Sequence, residues 1–396
     1  MSKATFVPAI GEQFNSVWNR KMTFKGKDGK VFDMKFFTNN SHFQLQSGLQ
    51  SAYYGINGVG KLAINGKTYR ELIGWPKDKI LIGDSGGFQI ATFKKKGEVC
   101  NLTPIESLRW QEANCDIAMN LDVPSTLWDI PTYEDFMEAL NQSIENFKVF
   151  EKERKNYDMK LLNVLHGENI KLMEIWYEAV KDFKFDGWAI GMKPASDPMI
   201  QAMAFSYLWE KGEFEKQSVK HLHFFGMSGK HVVPTLVYIA SKLNIPVTYD
   251  SSSYNIGSIY RTYYLPFDIG PHLSFGDKFK VENPHLKELP CICPVCQSIG
   301  NIETLNGTDI YAGTLISLHN LFQYEQYNSI CNSLVEDKEK FLDYLIKINI
   351  SEKALKSIEF IDYAMEKGVY NAIEKFQSYL IPQDLNKGKQ VSIWSF

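Results

Sequence analysis

The chain has 396 residues, 44% of them hydrophobic and 22% charged, with a net charge of −3 and an isoelectric point near 6.3. This is enough apolar material for a large core, and it excludes the low-hydrophobicity, high-charge composition of a disordered chain. The near-neutral balance also excludes capture of nucleic acid by a global positive field, so such a contact has to come from a local basic patch.

Met1 is followed by Ser-Lys-Ala-Thr, without a basic segment leading into an apolar one, and no stretch reaches the ~18 apolar residues of a membrane span. The sequence therefore reads as soluble, cytoplasmic and without a membrane partner. Residues 1–45 read as an N-terminal β cap, with a Lys/Gly-rich turn at 25–30 between two extended runs. Short apolar runs ending in polar residues or glycine follow at 80–84, 116–122, 161–166, 188–191, 221–226 and 247–250, each with the pattern of a buried parallel strand. Helical spacing fills 104–114, 132–156, 170–181 and 232–243 between them. Regular alternation of strand and helix predicts an α/β fold, preferably a (β/α)8 barrel over 46–280, with a doubly wound open sheet as the alternative. Residues 281–330 read as a zinc-binding subdomain completing the barrel, and 331–396 as a C-terminal helical segment whose 335–377 stretch has amphipathic spacing.

Three of the six cysteines crowd into Cys291-Ile-Cys293-Pro-Val-Cys296, and His319 follows after 22 intervening residues. Three thiolates and one imidazole close a tetrahedral shell around zinc; a full shell leaves no open position, so the expected role is structural. Clustered cysteines also favour a metal in a reducing compartment over a disulfide framework.

Three strand ends carry aspartates. In Gly83-Asp84-Ser85-Gly86-Gly87-Phe88-Gln89, the paired glycines let backbone approach a planar ligand, and a desolvated Asp84 suits proton exchange with a ring nitrogen. Asp122, in Asn120-Leu-Asp122-Val-Pro124, can accept hydrogen bonds from the donor edge of a guanine. Asp250, in Thr248-Tyr-Asp250-Ser-Ser-Ser-Tyr254, suits nucleophilic attack on the anomeric carbon of a ribose, as in retaining glycosidases. Each aspartate in isolation also fits a helix cap or turn.

Taken together, Asp84-Ser-Gly-Gly-Phe-Gln, Tyr-Asp250-Ser-Ser-Ser-Tyr and the cysteine cluster with His319 in Ser-Leu-His-Asn-Leu resemble the tRNA-guanine transglycosylase superfamily. The likeness runs from the first expected barrel strand to His319. It implies a zinc-bearing (β/α)8 barrel that exchanges a guanine in nucleic acid for a 7-deazaguanine such as preQ0, with no organic cofactor. It makes Asp84 the general acid/base, Asp250 the nucleophile and Asp122 a base-recognition group. Ser85, Phe88, His166, Gly191, Gly226 and Met227 are further expected members of the base pocket. Phe88 matches a stacking position, Gly191 lies in a matching glycine-containing strand, and Gly226 and Met227 lie in the matching segment before the nucleophile strand.

The departures bear on the substrate. Leu165-His166-Gly167 stands where the family usually has a Gln-Gly pair, and Ser251-Ser-Ser-Tyr-Asn-Ile-Gly257 replaces the Pro-Thr-Arg run that grips tRNA in bacterial members. The segment is closer to the archaeal form, without the C-terminal RNA-binding domains of archaeal enzymes. The resemblance is therefore strongest to the branch, usually phage or bacterial, that inserts 7-deazaguanine into DNA. A tRNA enzyme of the queuosine or archaeosine pathway and a noncatalytic partner subunit are the alternatives. Lys94, Lys95, Lys96, Lys193, Lys230 and Arg261 are the expected phosphate-contacting rim, although such charges also merely solvate loops. Barrel relatives commonly form homodimers, which the resemblance adds as an expectation.

Overall fold

The computed structural model describes residues 3–58, 66–124, 132–191, 197–227, 229–266, 269–274, 289, 291–300, 303–307 and 309–380. Its strands are β1 (Ala4–Pro8), β2 (Thr23–Lys25), β3 (Val31–Asp33), β4 (Ser47–Ser51), β5 (Ile80–Asp84), β6 (Ile117–Met119), β7 (Lys160–Leu165), β8 (Trp188–Ile190), β9 (Leu222–Phe224), β10 (Val247–Ser251), β11 (Thr262–Tyr264) and β12 (His272–Ser274). The helices up to the nucleophile-bearing strand β10 are α1 (Glu12–Asn19), α2 (Ala52–Asn57), α3 (Tyr69–Ile73), α4 (Gly87–Lys95), α5 (Pro104–Asn114), α6 (Tyr133–Glu153), α7 (Ile170–Val180), α8 (Pro198–Glu210) and α9 (Val233–Ser241). After β10 come α10 (Ser253–Ile259), α11 (Pro294–Ile299), α12 (Ile310–Leu334), α13 (Lys338–Lys347), α14 (Glu352–Lys367), α15 (Val369–Lys375) and α16 (Gln377–Leu380).

Eight strands pair in parallel in the order β1-β10-β9-β8-β7-β6-β5-β4. A parallel bridge between Ala9 and Leu49 brings β1 beside β4 and curls the sheet into a barrel. Strands buried on both faces need no polar alternation, which is why runs such as Leu-Leu-Asn-Val-Leu in β7 are apolar almost throughout. The helices start where the sequence supplies caps. Thr103 accepts from the Glu106 N–H while the Glu106 carboxylate takes the Thr103 N–H, and Thr132 and Asp135 do the same for α6.

The barrel begins earlier than the sequence reading placed it. β1 lies within the expected cap yet pairs with β10 over its whole length, from Ala4 opposite Val247 to Pro8 opposite Ser251. Among the described strands of that segment, β2 and β3 form an antiparallel hairpin, around the turn at 26–30, that stands outside the barrel sheet. α12 likewise runs through the expected boundary at 330/331. It packs against β1 and α9 and takes the place of the barrel's eighth helix, with Asn328 and Asn332 both donating to the Ala4 carbonyl.

The C-terminal helices have a reason to be there in α8, whose residues from Pro198 to Leu208 are all buried. A helix apolar on every side has to be enclosed. α14 lies along it, held to the neighbouring α9 by a Thr235–Ser357 hydroxyl pair and by the Tyr238 hydroxyl donating to Asp362. Among the described residues no helix is long and apolar enough to cross a membrane.

Candidate active site and metal centre

Asp84, Asp122 and Asp250 all fall at the C-terminal ends of barrel strands, the end at which such barrels assemble their sites. Asp84 closes β5 opposite Ser51 of β4. Burial, followed by the negative charges of Asp122 and Asp250, pushes its pKa up to about 7; hydrogen bonds from the Ser51 side chain and the Gly86 backbone act in the opposite sense. Ser51 Oγ also lies 3.1 Å from Gln89 Oε1, which places the first turn of α4 against the barrel.

The glycine pair has a role within the protein itself. A side-chain carbon on Gly87 would sit 1.7 Å from the Asp122 carbonyl oxygen, so the close approach here is between the β5 loop and the β6 loop themselves. Gly86 enters the helix at φ 92°, a conformation that glycine adopts without steric cost. This contact brings the Ser85 hydroxyl within 3.2 Å of Asp122 Oδ1.

Asp122 Oδ2 meets His166 Nε2 at 2.7 Å, with both side chains buried. The imidazole stands edge-on to Trp176, at 4.6 Å between centroids, and its Nδ1 has no hydrogen-bond partner among the described residues. Gly191 lies alongside: a side-chain carbon there would come within 3.0 Å of His166 Cε1. Asp122, Ser85, His166 and Gly191 thus form one contiguous polar cluster.

Asp250 ends β10. Its Oδ1 accepts the Gly226 N–H at 2.8 Å and faces His223 Nε2 at 3.3 Å; among the described residues nothing bonds Oδ2. The Gly226 backbone therefore orients a carboxylate, while the Met227 side chain is fully buried. Phe88, in the first turn of α4, is 54% exposed.

The expected phosphate rim is only partly assembled. Lys94 pairs with Glu138 at 2.7 Å on α6, and Lys95 and Lys96 follow at the C-terminal end of α4. Lys230 Nζ donates to the Ile348 carbonyl, and Arg261, at φ 57°, turns its Nη2 onto the Asp309 carbonyl at 2.9 Å. These two cations tie the barrel to the C-terminal helices and to the start of α12, so they do not stand out on an open rim. Lys193 lies outside the described residues.

Three residues without a signal of their own in the sequence, His221, His223 and Thr248, belong to the site. All three are buried, and they stack beneath Asp250: His221 Nε2 and His223 Nδ1 each lie 2.8 Å from Thr248 Oγ1. Burial, then the neighbouring His223, pushes the His221 pKa down to about 3, so this ring is neutral. Alternation along β9 and β10 puts these residues on one face, a signal visible only once the two strands are paired in register.

Cys291, Cys293, Cys296 and His319 are buried together, and their ligand atoms all lie within 4.8 Å of one another. His319 Nδ1 is 3.4 Å from Cys293 Sγ and 3.3 Å from Cys296 Sγ. Ligands about 2.3 and 2.0 Å from a tetrahedral zinc stand about 3.6 Å apart, so this cluster fits the ion. Its surroundings fit as well. His319 Nε2 faces the Tyr264 carbonyl at 2.8 Å, which leaves Nδ1 for the metal, and the ring stacks on Tyr263 at 3.6 Å. Gln323 Nε2 and the Cys293 and Cys296 backbone N–H groups donate to the sulfurs, as thiolate ligands require.

Comparison with known proteins gives two matches. Residues 34–227 match the family described as queuine tRNA-ribosyltransferase. The chain is also similar to a tRNA-guanine(15) transglycosylase of Methanocaldococcus jannaschii, 24% identical over 325 residues. That alignment covers 77% of this chain and 45% of the relative, so the chain spans less than half the length of the protein it matches.

Proposed function

From the premise that this chain belongs to the tRNA-guanine transglycosylase superfamily, we propose that it exchanges guanine in nucleic acid for a 7-deazaguanine through a glycosyl-aspartate intermediate. The observation that carries this reading is the convergence of Asp84, Asp122 and Asp250 at one end of the barrel, close enough for the latter two to raise the pKa of the first.

The target guanine is turned out of its stack, at a cost of a few kcal/mol, and its donor edge meets Asp122. That carboxylate retains lone pairs beyond those facing Ser85 and His166, and a proton between His166 Nε2 and Asp122 leaves Nδ1 to meet the base. Phe88 offers an exposed ring for stacking. Asp250 Oδ2 attacks C1′, the C1′–N9 bond breaks, and Asp84 gives its proton to the departing guanine. The incoming base then loses its N9 proton to Asp84 and attacks C1′ from the opposite face, which breaks the ester and regenerates the Asp250 carboxylate. Two inversions give net retention. Zinc supplies structural cross-linking and takes no part in the cycle.

Asp84 gives this cycle a testable pH dependence. Release of guanine needs the protonated acid and should decline as pH rises through about 7; the Asp84→Asn variant should lose both activity and that limb. Stability should also fall as pH rises. A carboxylic acid raised from 3.8 to about 7 destabilises the fold progressively between those values, and in full above the upper one, by at most about 4 kcal/mol. Asp84→Asn should therefore melt higher than wild type at pH 8 and alike near pH 4, measured by circular dichroism.

DNA is the preferred substrate. The segment after Asp250 carries no arginine before Arg261, whose Nη2 is committed to Asp309, and α10 instead exposes Ile256 and Ile259, with Tyr260 just beyond it. An apolar surface beside the proposed nucleophile suits unstacked bases better than a phosphate backbone. The similarity to an archaeal tRNA enzyme favours the second reading, tRNA. Offering the purified protein a radiolabelled 7-deazaguanine with duplex DNA or with tRNA separates the two. Label is expected in DNA; label in tRNA alone would overturn the preference, and label in neither would overturn the activity.

A further inference from the structure

We propose that His223 is a positioning residue for Asp250, fixed in one tautomer by a buried relay through Thr248 and His221. The inference rests on the nucleophile role of Asp250 given above and adds to it how that carboxylate is held.

The relay is written in strand register. His221 and His223 sit two residues apart, just before and within β9, and Thr248 and Asp250 sit two apart on β10, so each pair points to one side of its strand. His223 is the register partner of Thr248. The contacts then climb toward the mouth of the barrel, from His221 to Thr248, from Thr248 to His223 and from His223 to Asp250.

Proton counting leaves one arrangement for neutral imidazoles. The Asp250 carboxylate only accepts, so His223 Nε2 carries a hydrogen and its Nδ1 is bare. The bare Nδ1 accepts the Thr248 hydroxyl proton. The hydroxyl oxygen, its one proton used, accepts from His221 Nε2–H. His221 Nδ1 is then bare too, in agreement with its having no hydrogen-bond partner among the described residues; an orphaned buried N–H would be the rarer and costlier outcome. Reversing the hydroxyl would place the His223 hydrogen on Nδ1 and turn a lone pair toward Asp250.

The consequence is directional. The Gly226 N–H and the His223 N–H both meet Oδ1, which leaves the Oδ2 lone pair to attack C1′. Once the ester forms through Oδ2, Oδ1 becomes its carbonyl oxygen with the two donors still in place. They stabilise the charge that returns to the carboxylate when the new base displaces it.

Thr248→Val is the informative variant, because it keeps the shape, removes the hydroxyl and touches neither base nor sugar. It should lower kcat for base exchange about 10- to 100-fold with KM for the base changed less than about twofold, whereas Thr248→Ser should stay within about threefold of wild type. Equal loss in both variants, or a loss appearing in KM alone, would overturn the relay. A second readout needs no activity: ¹⁵N-histidine NMR of the full chain, with His223 assigned by its disappearance in His223→Gln. His223 should be an Nε2–H tautomer in wild type and lose that preference in Thr248→Val. An Nδ1–H tautomer in wild type overturns the relay even in an active enzyme. A wild-type protein with the expected tautomer but no exchange on any nucleic acid overturns the proposed function instead.

Discussion

Asp250→Asn is expected to reduce base exchange by at least about 10⁴-fold while leaving the affinity for free 7-deazaguanine within about threefold of wild type. Asparagine occupies nearly the same volume and can still accept the Gly226 N–H that Asp250 Oδ1 receives at 2.8 Å, so the strand end keeps its shape. What it loses is the oxygen nucleophile: a carboxamide cannot form and release a glycosyl ester at a useful rate. Asp250→Glu tests the same point differently. One added methylene displaces the carboxylate by about an ångström, enough to cost on the order of 10²-fold through misalignment with C1′. The measurement is release of labelled guanine, together with trapping of a covalent nucleic acid adduct on a denaturing gel. Exchange by Asp250→Asn near the wild-type rate would place the nucleophile elsewhere.

The legible parts of this molecule are those whose signal is local. The six apolar runs read from the sequence all contain barrel strands, because a buried parallel strand has to be apolar on both faces. The aspartates stood out because polar residues abruptly end those runs. β4 gave no such signal: Ser-Gly-Leu-Gln-Ser holds one large apolar side chain, and it is buried because partners such as Trp75, packed against Gly48, close over it. β1 is only five residues long, and its barrel role depends on β10, more than two hundred residues away in the chain. The site divides in the same way. Asp84, Asp122 and Asp250 were visible singly. The His221–Thr248–His223 relay exists only between strands, and the inward turn of Arg261 depends on Asp309. Charge alone marked Arg261 as a phosphate ligand, and nothing near it in the sequence marks the carbonyl that takes its guanidinium.

Removing the metal should weaken the nucleophile's support from behind, and α12 is the reason. This helix carries His319, and it is also the barrel's eighth helix. Asn320 accepts the Tyr264 N–H and donates to the Tyr254 and Thr262 carbonyls, while Asn328 accepts the hydroxyl of Tyr249, the residue next to Asp250. The same helix bonds β1 through Asn332. Structural zinc contributes about 10–16 kcal/mol of apparent binding energy in small zinc-finger peptides, so losing even part of it is expected to lower the melting temperature on the order of 10 °C. Cys293→Ser, or stripping with a strong chelator, should therefore raise amide exchange first in α11 and α12, then in β1 and β10, with β6 and β7 across the barrel remaining protected. Activity should fall in step with exchange in β10. A metal-free protein with native melting and protection but no activity would show that the ion acts on the reaction directly; one with native melting and full activity would show that the cluster does not need a metal.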